Sequence, residues 1–153
     1  MNAGLAAMKF VPAGPKDCPE VLTLMREFYP LEGLKLDEAL AAQGLKWVLA
    51  DPERGAIFLM RVSGELVGYC ALTAGVSLEF GGPYLLLDEL YLRAPFRGSG
   101  LGRQTMDFVE SFARQTGCRG LRLEVHDFNE RAKELYRRRG FVDDRRWIFT
   151  KSL

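Results

Sequence analysis

The sequence predicts an α/β domain built on a mixed sheet. Three features carry that prediction. Short apolar runs of strand length are interleaved with segments whose apolar residues recur at helical spacing. Two of the runs, 56–62 and 66–73, are separated only by Ser63-Gly64-Glu65, a hairpin signal. A third run, 84–92, leads through a glycine-rich turn into a helical segment.

Taken in order, residues 8–11 form a short first strand, broken by Pro12 and Pro15. Asp17 then caps a helix carrying Val21, Leu22, Leu24, Met25 and Phe28, which Pro30 ends. A second helix covers 36–50, with Leu40, Trp47 and Val48 as expected buried positions, bounded by Pro52 and Gly55. The hairpin and the strand 84–92 follow. Residues 101–116 form a helix with Met106, Val109, Phe112 and Ala113 on one face, stopped by Gly117. In 121–125, Leu121, Leu123 and Val125 alternate with Arg122 and Glu124, the pattern of a strand with two unlike faces. Asn129 caps a helix to Arg139, stopped by Gly140, and 141–142 with 147–150 are expected to close the chain as a hairpin. The predicted order is β-α-α-β-β-β-α-β-α-β-β.

The 153 residues are 48% hydrophobic and 27% charged, which suits one soluble domain able to fold without a metal or disulfide. The expectation is a single domain over 1–153. Cys18, Cys70 and Cys118 are odd in number and lack a C-x-x-C spacing, which reads as reduced thiols in a cytoplasm. A lone histidine, His126, argues against a histidine-rich metal centre, so no metal is expected. No apolar run approaches the ~20 residues of a membrane span. Residues 1–10 lack the basic start and long apolar stretch of a leader. The net charge of +1 makes no case for nucleic acid. Its distribution is uneven: residues 1–96 hold eight Lys/Arg against twelve Asp/Glu, and residues 97–153 hold thirteen against eight. The basic half suits an anionic ligand and the acidic half a cationic one.

The most informative segment is Arg97-Gly98-Ser99-Gly100-Leu101-Gly102-Arg103, between a strand and a helix. Glycines let the backbone curl and point successive N–H groups at one spot. The first helical turn adds unpaired N–H groups and the positive end of the helix dipole. Together these make an anion site, most naturally for a pyrophosphate. It is not a phosphate-binding loop of the Gly-Lys-Ser/Thr kind, because Arg103-Gln104 stands there. Nor is it a dinucleotide fingerprint, because Arg103 replaces the third glycine.

Arg97-x-x-Gly100-x-Gly102 resembles the Q/R-x-x-G-x-G/A signature of the GNAT-type N-acetyltransferase superfamily. The resemblance continues through Asn129, Tyr136 and Arg139-Gly140-Phe141, and covers about 56–149. It implies a central mixed, mostly antiparallel sheet with helices on both faces, and acetyl-CoA as cosubstrate. By this resemblance Leu90, Tyr91 and Leu92 contact pantetheine along a splayed strand, residues Arg97, Gly98, Ser99, Gly100, Leu101, Gly102 and Arg103 hold the phosphates, and Asn129 and Tyr136 touch the cofactor. Relatives are often dimers, so a homodimer is expected. Leu87-Asp88-Glu89-Leu90-Tyr91-Leu92 is most similar to the spermidine/spermine and thialysine acetyltransferase branch. That branch has Glu before Asp; here the order is reversed, and the shorter Asp88 reaches less far.

Acetyl transfer to an amine sets the chemistry required. An alkylamine with pKa near ~10.4 arrives as a cation and must lose a proton before it attacks. The carbonyl oxygen then needs an N–H donor, and the departing thiolate a proton. Tyr136 lies on the Ala132/Leu135 face of its helix and reads from spacing as a core aromatic; the resemblance makes it the proton donor. Asp88 is the expected base and Glu89 the amine-binding anion. Successive acids in a regular strand face opposite ways, and only a bulge brings both to one side. Glu124 is either a solvated strand residue or, as in relatives that act on protein N-termini, the base. Asn129 serves equally as a helix N-cap. His126 beside Asp127 reads as a surface or structural residue, Arg137, Arg138 and Arg139 as a solvated helix face, and Cys118 as unable to form an acyl-enzyme. The first function expected is direct acetylation of a small cationic primary amine. The alternatives are a protein or peptide N-terminal acetyltransferase using Glu124, and a non-catalytic acyl-CoA sensor.

Overall fold

The computed structural model describes residues 7–153, so the expectation of no leader at 1–10 falls partly outside it. Two compact units make up the chain, one ending at Leu123 and the other running Glu124–Leu153.

Among the described residues, the first unit holds a five-stranded sheet in sequential order: β1 (Met8–Pro12), β2 (Gly55–Val62), β3 (Glu65–Ser77), β4 (Gly82–Leu92) and β5 (Gly120–Leu123). The first four strands are antiparallel and β5 joins β4 in parallel. Its helices are α1 (Cys18–Phe28), α2 (Glu38–Leu49) and α3 (Leu101–Gln115). The mixed, mostly antiparallel sheet is as expected. The hairpin turn is tighter than expected, since Val62 pairs with Glu65 across Ser63 and Gly64. Both turn residues have positive φ, 50° and 86°, which matches the twist of the flanking strands.

Strand alternation sends β2 to two cores. Ile57 and Leu59 face α1 and α2, where Val21, Leu24 and Met25 are buried. Phe58 and Met60 face α3: the Phe58 ring lies 4.7 Å from Phe108 and 5.0 Å from Phe112, and the Thr105 hydroxyl meets the Met60 sulfur. The sheet therefore carries helices on both faces. Each fully buried aliphatic side chain in these layers contributes roughly 1.5–3 kcal/mol of transfer free energy.

The second helix departs from expectation. Leu45 is its buried residue, flanked by Ala41 and Val48, while Leu40 and Trp47 are 64% and 66% exposed. Positions 41, 45 and 48 form one stripe at helical spacing, and 40 and 47 lie one residue round from it. The exposed Trp47 ring carries the Arg54 guanidinium at 4.0 Å. Asp37 starts this helix by accepting from the N–H groups of Ala39 and Leu40. Asp17 holds the N-cap position of α1 as expected, but its carboxylate accepts from the Gly14 N–H rather than from the helix.

The end of α1 is tied to the end of β4. Arg93 donates to both oxygens of Glu27 at 3.0 and 2.7 Å and to the Leu66 carbonyl, and the Tyr91 hydroxyl donates to Glu27 at 3.1 Å. The Arg93 hydrogen bonds hold the Glu27 carboxyl below the usual carboxylate range. A depressed acid stabilises the fold above its unfolded pKa and loses that contribution as pH falls through its folded one. Glu27→Gln is therefore expected to lower stability by about 1 kcal/mol at neutral pH. Thermal melts across pH should show the gap from the parent protein closing on the acid side. A gap that is constant with pH would contradict the ion-pair account.

In the second unit, Asn129 caps α4 (Glu130–Arg138) by accepting from the Ala132 N–H at 3.1 Å. The Phe141 N–H returns to the Tyr136 carbonyl and the Gly140 N–H to the Arg137 carbonyl, with Gly140 at φ 89°, a left-handed helix stop. The closing hairpin expected at 141–142 and 147–150 is absent: no described residue from 141 to 153 is in a strand. The connecting residues are Asp-Asp-Arg-Arg, without the Asn-Gly chemistry of a tight hairpin, and the Arg145 N–H is taken locally by the Asp143 carboxylate. Val142, Trp147 and Phe149 stay more than 80% exposed.

Candidate active site

In the first unit, β4 pairs with β5 only from Tyr84 to Leu87. Beyond Leu87 no described strand pairs with that edge, so the stretch holding Leu90, Tyr91 and Leu92 has no strand partner on one side, where the Leu92 carbonyl is taken by Arg97. Their side chains are committed to packing: Leu90 and Leu92 lie against Met60, Val67 and Leu101, and Tyr91 lies against Phe28.

The other edge of this stretch carries the bulge that two adjacent acids require. Ala71 of β3 pairs with Glu89 and Leu72 with Leu87, which leaves Asp88 as the extra residue. Both acids consequently line one cavity of about 410 Å³, between the sheet on one side and α2 with its preceding loop on the other. Their environments differ. Glu89 accepts from the Tyr29 hydroxyl at 2.5 Å through one oxygen and from the Tyr69 hydroxyl at 2.6 Å through the other. Burial, and then Glu89 itself, push both phenols well above their ordinary range, so they remain donors. No hydrogen bond or ion pair among the described residues engages Asp88, and desolvation pushes its carboxyl above the usual carboxylate range. One acid is thus held in place by two donors, and the other has none and is more easily protonated than an ordinary carboxylate.

The glycine segment follows β4 directly. Gly98 and Gly100 adopt φ of 76° and 84°, a left-handed conformation that strains other residues. Ser99 donates to the Phe96 carbonyl, and Arg97 donates to the Leu92 carbonyl at 2.7 Å with its guanidinium over the Tyr91 ring. The Arg103 and Gln104 N–H groups turn back to the Gly100 carbonyl, so Leu101 and Gly102 carry the remaining donors of the first turn. Side chains built on Gly98 or Gly102 would meet nothing within 4 Å, so the space before the loop is open. α3 also differs from α1, α2 and α4 in having no acid in its first turn. Its positive dipole end is left for an external anion, and these residues fit a pyrophosphate.

In the second unit, Glu124 lies outside a strand, because β5 ends at Leu123 rather than at 125, and it is exposed. Tyr136 is half-buried, its ring 5.7 Å from Phe141, and burial raises its phenol. His126 stacks on Phe128 at the surface. Arg137 and Arg138 lie along α4 beside Glu130 and Glu134. Cys18 and Cys70 are buried thiols. No group of three or more metal-type ligands occurs among the described residues, and none of their helices is long and apolar enough to cross a membrane. Tyr29, Tyr69 and Lys35 were not singled out from sequence. Nothing in their local spacing marks them; they reach the site through tertiary packing.

The profile of the acetyltransferase (GNAT) family matches residues 18–141. The chain belongs to that family. This acetyltransferase is 30% identical over 142 residues to the thialysine N-epsilon-acetyltransferase of Bos taurus, covering 83% of this chain and 79% of the relative. It superposes on an integron cassette protein from the Cole Harbour salt marsh metagenome with a TM-score of 0.81 and 32% identity, covering 94% of this chain and 90% of the other. It also shares its fold with aminoglycoside N-acetyltransferase AAC(6')-Iy in complex with CoA, at a TM-score of 0.77 and 16% identity, covering 99% and 98% of the two chains. The expected family and fold class are thus both met.

Proposed function

We propose that this acetyltransferase moves an acetyl group from acetyl-CoA directly to a small primary amine, with Asp88 as base and Glu89 as the anion that holds the ammonium. The observation that carries the reading is the bulge at Asp88, which turns both acids toward one cavity between α2 and the sheet, just before the stretch of β4 that has no second strand partner. The family match across residues 18–141 supports treating the whole chain as one acetyltransferase domain.

Acetyl-CoA supplies the activated acetyl group as a thioester. The glycine segment and the head of α3 bind its pyrophosphate, with Arg103 adding charge. Glu89, fixed by its two phenol donors, attracts the ammonium. Asp88, raised by desolvation and free of donors, accepts its proton. Backbone N–H groups on the open stretch of β4 provide the donor for charge developing on the carbonyl oxygen. Tyr136 gives the thiolate its proton; seven-residue spacing from Asn129 and a phenol kept protonated by burial support that role. Tyr136→Phe is expected to lower kcat by about 10²-fold with acetyl-CoA affinity kept. Loss of stability and affinity with normal kcat would return Tyr136 to the role of a core aromatic.

The test of the reading is a transfer screen with radiolabelled acetyl-CoA over small primary amines and peptides with free N-termini. Label is expected in the small amines. Label in peptides alone would favour N-terminal acetylation through Glu124, and binding without transfer would make the domain a sensor.

A further inference from the structure

Among the described residues, the proposed acceptor cavity carries one cation that nothing in the proposed reaction uses. The charged residues among those described that line it are Lys35, Asp37, Asp88 and Glu89. Asp37 points Oδ1 at the Ala39 and Leu40 N–H groups, where the positive end of α2 offsets its charge. Asp88 and Glu89 belong to the sheet side. Lys35 stands on the facing wall, in the loop before α2, exposed and engaged by no hydrogen bond or ion pair among the described residues. Between these two charged walls the lining is apolar, with Leu36, Ala41, Leu45 and Val48 opposite Ile57 and Leu72.

Resting on the reading of this cavity as the amine site, we propose that Lys35 selects the acceptor: an aliphatic primary amine whose far end carries an anionic group such as a carboxylate. The ammonium of such a molecule meets Asp88 and Glu89, its chain lies along the apolar wall, and its anion meets Lys35. A second cation at the far end, as in a diamine, is repelled by Lys35, and a neutral end gains nothing. The same wall accounts for Leu40, which is exposed to solvent yet lines the cavity. One lysine at an open rim acts within the screening length of ~8 Å at physiological salt, and an exposed pair of this kind is worth up to about fivefold in an equilibrium.

The test compares ε-aminocaproate, hexylamine and hexamethylenediamine, which differ only at the end away from the reacting amine. The wild-type protein should rank them in that order by kcat/KM, with the differences in KM and reduced by added salt. Lys35→Met should bring the three together. Lys35→Glu should invert the order, moving the ratio of carboxylate to diamine by about tenfold or more. Lys35 is exposed, so neither variant threatens folding, and hexylamine serves as the internal standard. If all three proteins acetylate hexylamine equally but the order ignores residue 35, the selection by Lys35 is overturned and the acceptor cavity stands. If no protein acetylates any of the three, the cavity reading fails and the proposal with it.

Discussion

Asp88→Asn is expected to lower kcat/KM by about 10³-fold while leaving acetyl-CoA affinity unchanged. The amide keeps the shape of the side chain and cannot accept a proton, so the loss is that of a general base, commonly 10²–10⁴-fold. The pH profile gives the sharper readout. Desolvation places the Asp88 carboxyl above the usual carboxylate range, so the wild-type rate should rise with pH through a midpoint displaced upward from that range. The Asn variant should lose this acidic limb. A limb unchanged in Asp88→Asn but abolished in Glu124→Gln would move the base into the second unit and favour N-terminal acetylation.

Gly102→Glu is expected to weaken acetyl-CoA binding by at least about a hundredfold. Two phosphates would face a carboxylate at close range, where like charges in partly desolvated surroundings cost several kcal/mol. The substitution is chosen so that folding is not the cause. A side chain at Gly102 meets nothing within 4 Å, and an acid in the first turn of a helix is favourable to the helix itself. Gly100 is a poorer test, because its φ of 84° would strain any replacement. The readout is thermal stabilisation by ligand: at about a hundredfold over Kd, binding adds about 2.7 kcal/mol to the wild-type protein and should add almost nothing to the variant. Equal shifts in the two proteins would remove the phosphates from this loop.

These two residues also mark how much of the site was legible in the sequence. Gly102 belongs to a local pattern: three glycines at a strand-to-helix turn state their chemistry without tertiary information. Asp88 and Glu89 were visible as acids, but strand alternation alone would have separated them. The bulge that joins them arises from the pairing of β3 with β4, a relation between residues far apart in the chain. The phenols on Glu89 are a stronger instance, because Tyr29 and Tyr69 come from different elements 60 and 20 residues away. In α2, apolar content suggested Leu40 and Trp47 as core, whereas the stripe at 41, 45 and 48 is what packs. Beyond Gly140, β-prone residues at 147–150 predicted a strand. A strand needs a partner and a turn as well as propensity, and the charged Asp143–Arg146 connection lacks the turn chemistry for one.

The central claim is direct transfer to an amine, and a single-turnover experiment tests it most closely. The protein is mixed with one equivalent of acetyl-CoA, its mass is followed without amine, and hexylamine is then added. The account predicts an unchanged protein mass before the addition, and afterwards one acetylated amine and one free CoA thiol for each acetyl-CoA consumed. An acetylated protein preceding the product, or intact acetyl-CoA persisting beside the amine, would contradict it.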